Sequence, residues 1–258
     1  MVERVTCYAP GAHTPVDVDE IADWLAARVD GEVTVADRLL ADEPPPGTAE
    51  AFADARVRGA HTRETGNTLL GTIRYEERAL EEPDRAGGVV YDGHAIQRAL
   101  DPALDADALG LDHAHVVPLD RVLATWGGDG RWHKRIAVLG QPAVLSVPGL
   151  YEAPAKPEAY YEAKGATAMM TGDAPPREVL EAAVDGEFLV EDDPRTTEVL
   201  KGYALAAVHY VATGEAFCDE PGCRLSDPHR QPALLEAQLG EPAFCPAHRN
   251  RYGPDSGT

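Results

Sequence analysis

Four side chains near the carboxyl end have the types and spacing to hold a metal ion. Cys218 and Cys223 stand as C-x4-C, and Cys245 and His248 follow after 21 residues as C-x2-H. Thiolate and imidazole ligands suit zinc, and four of them close a tetrahedron when the ion is structural. The short loops Asp219-Glu220-Pro221-Gly222 and Pro246-Ala247 let each pair approach one ion from the same side. The expectation is one structural zinc on Cys218, Cys223, Cys245 and His248, with His229 in the intervening loop as the reserve fourth ligand. The bland alternative is three buried thiols and a surface histidine. Cys7, the remaining cysteine, reads as a small buried hydrophobe.

Other histidines form weaker constellations. On a strand, His113 and His115 would project from one face, close enough to share an ion. His133 could join them from the next loop. No third ligand is evident, and the competing reading is hydrogen bonding to neighbouring strands. His209, alone in an apolar run, reads first as a satisfied core histidine. Ser146 lacks a glycine elbow and is a poor nucleophile. Gly127-Gly128-Asp129-Gly130 lacks the lysine and helix of a phosphate loop.

These residues need elements to position them. Arg4–Ala9 reads as a strand, Val16–Val29 as an amphipathic helix and Glu32–Ala36 as a second strand. That β-α-β opening favours a parallel pair in an α/β layered domain. An acidic, proline-rich loop, Asp42–Pro46, precedes a short helix at Ala49–Val57. Residues 58–86 carry many charges, among them Glu76-Glu77 and Glu81-Glu82 beside Arg74, Arg78 and Arg85. They read as a solvated face, with a possible strand at Leu69–Tyr75 and a helical turn at Glu76–Leu80. Gly87 to Asp92 suggests a turn and strand, and Ala95–Leu100 a short helix.

Asp112–Leu119, Val122–Trp126, Arg135–Leu139 and Ala143–Val147 read as strands, the last two joined as a hairpin through Gly140-Gln141-Pro142. Helices are expected at Pro154–Ala163, Arg177–Ala183 and Pro232–Leu239, and a short strand at Glu187–Glu191. Thr196–Ala212 is the longest helical pattern. Asp192-Asp193-Pro194 favours its start, and Gly214 can stop it.

Within these elements the second half resembles the archaemetzincins, a family of small zinc metalloproteases. Members carry a helix with H-E-x-x-H-x-x-G-x-x-H, then C-x4-C and C-x2-C. The histidines bind the catalytic zinc and the cysteines a structural one. Here Cys218 and Cys223 match the first cysteine pair, and Cys245 with His248 matches the second, His replacing the last Cys. The stretch Val138 to Val147 resembles the family's hairpin, and Arg195 to Lys201 its helix start. The likeness spans residues 110–250. It implies a mixed α/β, zincin-like fold: a twisted sheet, a core helix and a zinc-binding lobe.

The departure lies in the catalytic helix. Counting back from Cys218 puts the three histidine positions at Ala207, Val211 and Phe217, and the catalytic Glu at Val208; only Gly214 survives. Alanine and valine offer no lone pair to a metal. His209 projects about 200° round the helix from Ala207, so it cannot replace it in register.

At 258 residues the chain is expected to be one domain. Residues 1–110 would form its β-α-β part, 111–213 the sheet and core helix, and 214–252 the zinc lobe. Its 44 acidic residues against 23 basic ones leave a formal charge of −21 spread along the chain, with four lysines. That balance suggests a halophilic origin, and with the resemblance it implies a branch from halophilic archaea. It argues against non-specific DNA binding, which needs cations to replace counterions. No apolar run of membrane-spanning length or secretory signal stands out, so a cytoplasmic location is expected.

Three functions remain open. A catalytically degenerate metallopeptidase-like protein would keep one zinc and bind a peptide or protein partner. An active hydrolase would use a displaced site drawn from His113, His115, His133 or His209. A zinc-knuckle module would use Arg224, His229, Arg230, Arg249 and Arg251, a local basic cluster.

Overall fold

The computed structural model describes residues 2–11, 14–41, 44–66, 68–83, 88–173, 175–184 and 186–253. The first half runs β1 (Arg4–Tyr8), α1 (Val18–Ala26), β2 (Glu32–Ala36), α2 (Thr48–Asp54), β3 (Val57–Gly59), β4 (Thr62–Thr65), α3 (Leu70–Glu81), β5 (Val90–Asp92) and α4 (Gly93–Leu100). The strand-rich middle holds β6 (His113–Leu119), β7 (Val122–Trp126), β8 (Trp132–Arg135), β9 (Ala137–Val138) and β10 (Ala143–Ser146). Helices α5 (Gly149–Glu152), α6 (Glu158–Thr171), α7 (Arg177–Ala183), α8 (Thr196–Thr213), α9 (Gln231–Leu239) and α10 (Pro246–Tyr252) complete the chain.

The main sheet has the order β2-β1-β6-β10-β9, parallel except for β9. Alternation along each strand divides its side chains between two cores. Val5, Cys7, Ala114, Val116, Ala143 and Leu145 face α1 and α8. Val117 and Val144 face the other way, toward Phe52 of α2 and Ile96 and Leu100 of α4. The sheet is therefore covered on both faces, as its apolar strands require. A smaller sheet, β5-β7-β8, and the β3–β4 hairpin flank the second core.

Helix α8 is apolar around most of its circumference, so it suits an interior position. Val199, Leu200, Tyr203, Ala204, Leu205, Ala207 and Val208 are all buried. Gly214 ends it in the left-handed region at φ 76°, its N–H donating to Tyr210 O. The mixed α/β architecture, the parallel β1–β2 pair and the β9–β10 hairpin agree with the sequence reading.

Three stretches differ. The proposed strand Leu69–Tyr75 lies mostly within α3, whose buried residues Thr72, Glu76, Ala79 and Leu80 follow a helical period. Around it Arg74, Glu77, Arg78, Glu81 and Glu82 are exposed, but Glu76 is fully buried, so the face is not wholly solvated. Glu187–Glu191 forms no strand: the Leu189 N–H donates to the Gln231 side chain, not to a ladder. Val57, placed in a helix from sequence, begins β3. Asp42, Glu43, Arg85 and Gly87 lie outside the described residues.

Candidate metal centre

The site grows from the end of α8. After Gly214 the chain turns back, and the Phe217 ring meets Tyr203 of α8 edge-on at 6.2 Å. Cys218 N–H then donates to Leu225 O, and Cys223 N–H to Glu220 O, so the first ligand loop closes on itself. Arg224 N–H donates to Ala243 O, which ties this loop to the second. Cys245 caps α10, and the N–H groups of His248 and Arg249 both donate to its carbonyl. The helical turn puts the Cys245 and His248 side chains on one side.

Helix α9 fixes the lobe on the core. Gln238 Nε2 donates to Arg224 O, and Gly202 of α8 lies opposite this pair. A Cβ at Gly202 would stand 2.8 Å from the Arg224 carbonyl, so only glycine permits this approach. Arg224 stacks over Trp24 of α1 and donates to the Glu198 carboxylate and carbonyl.

One ligand atom from each of Cys218, Cys223, Cys245 and His248 lies within 4.8 Å of the other three. Cys218 Sγ is 3.9 Å from Cys245 Sγ, and His248 Nδ1 is 3.2 Å from Cys245 Sγ and 3.6 Å from Cys223 Sγ. Zn–S bonds of about 2.3 Å in a tetrahedron would set sulfurs about 3.8 Å apart. The set fits such an ion, and all three sulfurs belong to free thiols. Burial pushes the Cys218 thiol up to about 12 and also raises Cys223. Burial would raise Cys245 too, but the His248 N–H and the neighbouring thiols outweigh it and hold it below the ordinary value. A divalent cation here would therefore displace protons from the sulfurs.

His229 lies outside this group; its carbonyl accepts from Ala155 N–H beside Asp227. His209 packs edge-on against His248, with ring centroids 5.2 Å apart, and its Nδ1 hydrogen-bonds with Tyr252 Oη at 2.9 Å. It backs the lobe and does not join the four. Burial, then the charges of His248 and Arg251, hold it below the usual imidazole value.

His113 and His115 do share a face, with ring centroids 4.1 Å apart. His113 Nε2 pairs with Thr6 Oγ1, while both nitrogens of His115 are engaged, by Tyr8 Oη and Ala108 O. His133, on β8 of the smaller sheet, pairs with Asp129 of the preceding loop. Among the described residues, no other group of three or more His, Cys, Asp or Glu stands together as a metal-holding set. Ser146 is buried, donating to Arg121 O and accepting from Gly149 N–H. The positions counted as Ala207, Val208, Val211 and Phe217 are packed into or against the first core. In the basic cluster, Arg224 is turned inward onto Glu198.

The sequence reading missed a buried charge cluster. Glu76 Oε1 lies 2.7 Å from Arg56 Nε and accepts from Tyr91 Oη. Burial raises its carboxyl, against the Arg56 and Arg121 charges. Its helical spacing with Thr72, Ala79 and Leu80 was the available signal.

A solved zinc-dependent peptidase from Methanocorpusculum labreanum (strain Z) aligns at a TM-score of 0.47 and 12% identity, over 96% of this chain and 98% of that chain. No curated protein matches the sequence. The model of the family of unknown function DUF7001 matches residues 6–251, and the chain belongs to that family.

Proposed function

We propose that this is a metallopeptidase-like protein without a catalytic metal, which carries one structural zinc ion and binds a peptide or protein partner. The carrying observation is the convergence of Cys218, Cys223, Cys245 and His248 within 4.8 Å beside a helix with apolar side chains at the positions that align with the catalytic residues of archaemetzincins. Four protein ligands fill a tetrahedron and leave no position for water or substrate, which is the signature of a structural site. When bound, zinc would supply cross-linking: it would join the two ligand loops and α10 to the end of α8. Catalysis in the archaemetzincins, which the sequence resembles, needs two helical histidines one turn apart with a neighbouring glutamate. Ala207, Val208 and Val211 supply none of these groups. The apolar packing of those residues supports an emptied active site, and the cysteine frame supports retention of the surrounding fold.

Native mass spectrometry of the folded chain should give one zinc per chain, and Cys218→Ser should lower that count. Two zinc ions, or peptide cleavage abolished by chelator and restored by zinc, would overturn the reading.

A further inference from the structure

The main sheet reverses its winding direction between β1 and β6. From β1 the chain crosses to β2 on one side, over α1, and later returns to β6 on the other, by way of α2, α3 and α4. A crevice outside the carboxyl ends of two such strands is the usual ligand position in open α/β sheets. Here that crevice contains a cavity of about 30 Å³, lined mainly by apolar side chains such as Phe52, Leu80 and Leu100, with Gly11 after β1, Asp120 and Arg121 after β6, and Arg38. Space for one water takes roughly 10–15 Å³ on this measure, so the cavity admits the oxygens of a compact group.

Two arginines line this cavity. Arg121 is 3% exposed, and its Nε is buried without a hydrogen-bond partner. Its other nitrogens donate to the carbonyls of Ala79, Pro83 and Asp120. Arg38 donates to Leu80 O. Among the described residues, neither has a carboxylate oxygen within ion-pair distance. Burial and then the charge of Arg121 lower the Arg38 pKa, with Asp120 opposing them. The Asp120 carboxylate is already engaged, accepting from Gly11 N–H and Thr14 Oγ1. Arg56 and Arg121 both act on the Glu76 carboxylate, Arg56 through an ion pair. Among the described residues, Arg38, Arg56 and Arg121 thus face Glu76 and Asp120, an excess of one positive charge inside a strongly acidic protein. Buried charge is costly unless paired.

We infer that the crevice at the β1–β6 switch point binds a compact oxyanion, the phosphoryl or carboxylate end of a ligand, between Arg38 and Arg121. Planar guanidinium forks match such groups with paired hydrogen bonds. Gly11 lets the β1 loop close onto this wall, since a Cβ there would run into the Asp120 carboxylate and stand 3.1 Å from the Pro83 ring. A second cavity of about 390 Å³ shares Asp120 and Pro83 with it and offers room for the rest of a ligand. This site is separate from the cysteine lobe and does not depend on its metal.

Isothermal titration of the full chain at fixed ionic strength, with inorganic phosphate and separately with acetate, tests the inference. At least one anion should bind at one site per chain; the tighter of the two identifies the ligand's end group. Arg38→Gln should weaken it about ten-fold, the loss of one charge-assisted hydrogen bond, while the exposed Arg63→Gln should leave it unchanged. Should Arg38→Gln fail to fold by circular dichroism, Arg38→Lys should still weaken binding several-fold, because it keeps the charge and loses the fork. No binding of either anion, or equal affinity in the parent and the Arg38 variants, overturns the site and assigns both arginines to capping the carboxyl end of α3.

Discussion

Individual buried polar residues in this protein hold fixed partners, and that makes their removal costly. Glu76 is the clearest case, enclosed between Arg56 and Tyr91. Truncating it leaves the half-buried Arg56 charge unpaired and Tyr91 Oη without its acceptor, so Glu76→Ala should cost about 3 kcal/mol in urea unfolding. His115 makes a different prediction. Burial lowers its pKa below the usual imidazole value, so the unfolded chain takes up a proton before the folded one does. Its contribution to stability is therefore complete above about pH 6.5, the unfolded value, and is lost as pH falls through the lower folded value. Histidine NMR should place the His115 midpoint below 6.5; a midpoint above it would contradict the burial argument.

Among the elements, α8 and the residues 214–252 depend on each other. Gly202 lets α9 and the Arg224 loop approach α8. Gly202→Ala improves intrinsic helix propensity by about 1 kcal/mol, but overpacking costs about 1–3 kcal/mol. The Arg224 carbonyl and Gln238 side chain are held from both sides, so a net loss in melting temperature is the expected result. Metal should order the lobe directly, since ion binding contributes to the folding free energy of the segment that supplies the ligands. Cys218→Ser should then raise amide exchange across residues 214–252 and leave β1, β6 and β10 protected. Equal protection in variant and parent would separate the lobe from any metal.

For the whole molecule the dominant quantity is the charge of −21. Self-repulsion on that scale weakens the compact state at low ionic strength, and screening shortens its reach from about 10 Å at 0.1 M salt to about 3 Å at 1 M. The melting temperature should rise steadily with potassium chloride over this range, and a flat profile would show that the charge is already balanced locally. Among the described residues no helix is long and apolar enough to cross a membrane.

Much of this protein is encoded locally. Cys218, Cys223, Cys245 and His248 stand out by type and spacing, because two close pairs of soft ligands are visible in sequence, and the fold brings them together. The β-α-β opening, the hairpin at Gln141-Pro142 and the apolar run of α8 are equally legible, since periodicity and turn residues act over short distances. Residues 58–86 are less legible: α3 presents mostly charge, and only the helical spacing of Glu76 with Thr72, Ala79 and Leu80 sets it apart from its solvated neighbours. Folding alone decides its partner, because Arg56 and Tyr91 arrive from other elements. The same holds for His248, which folding brings to the three thiols while His229 stays apart, and for the shared cavity of Arg38 and Arg121. Spacing determines what a segment can form; which distant segment meets it depends on sheet order and packing, and those are set only when the two cores close.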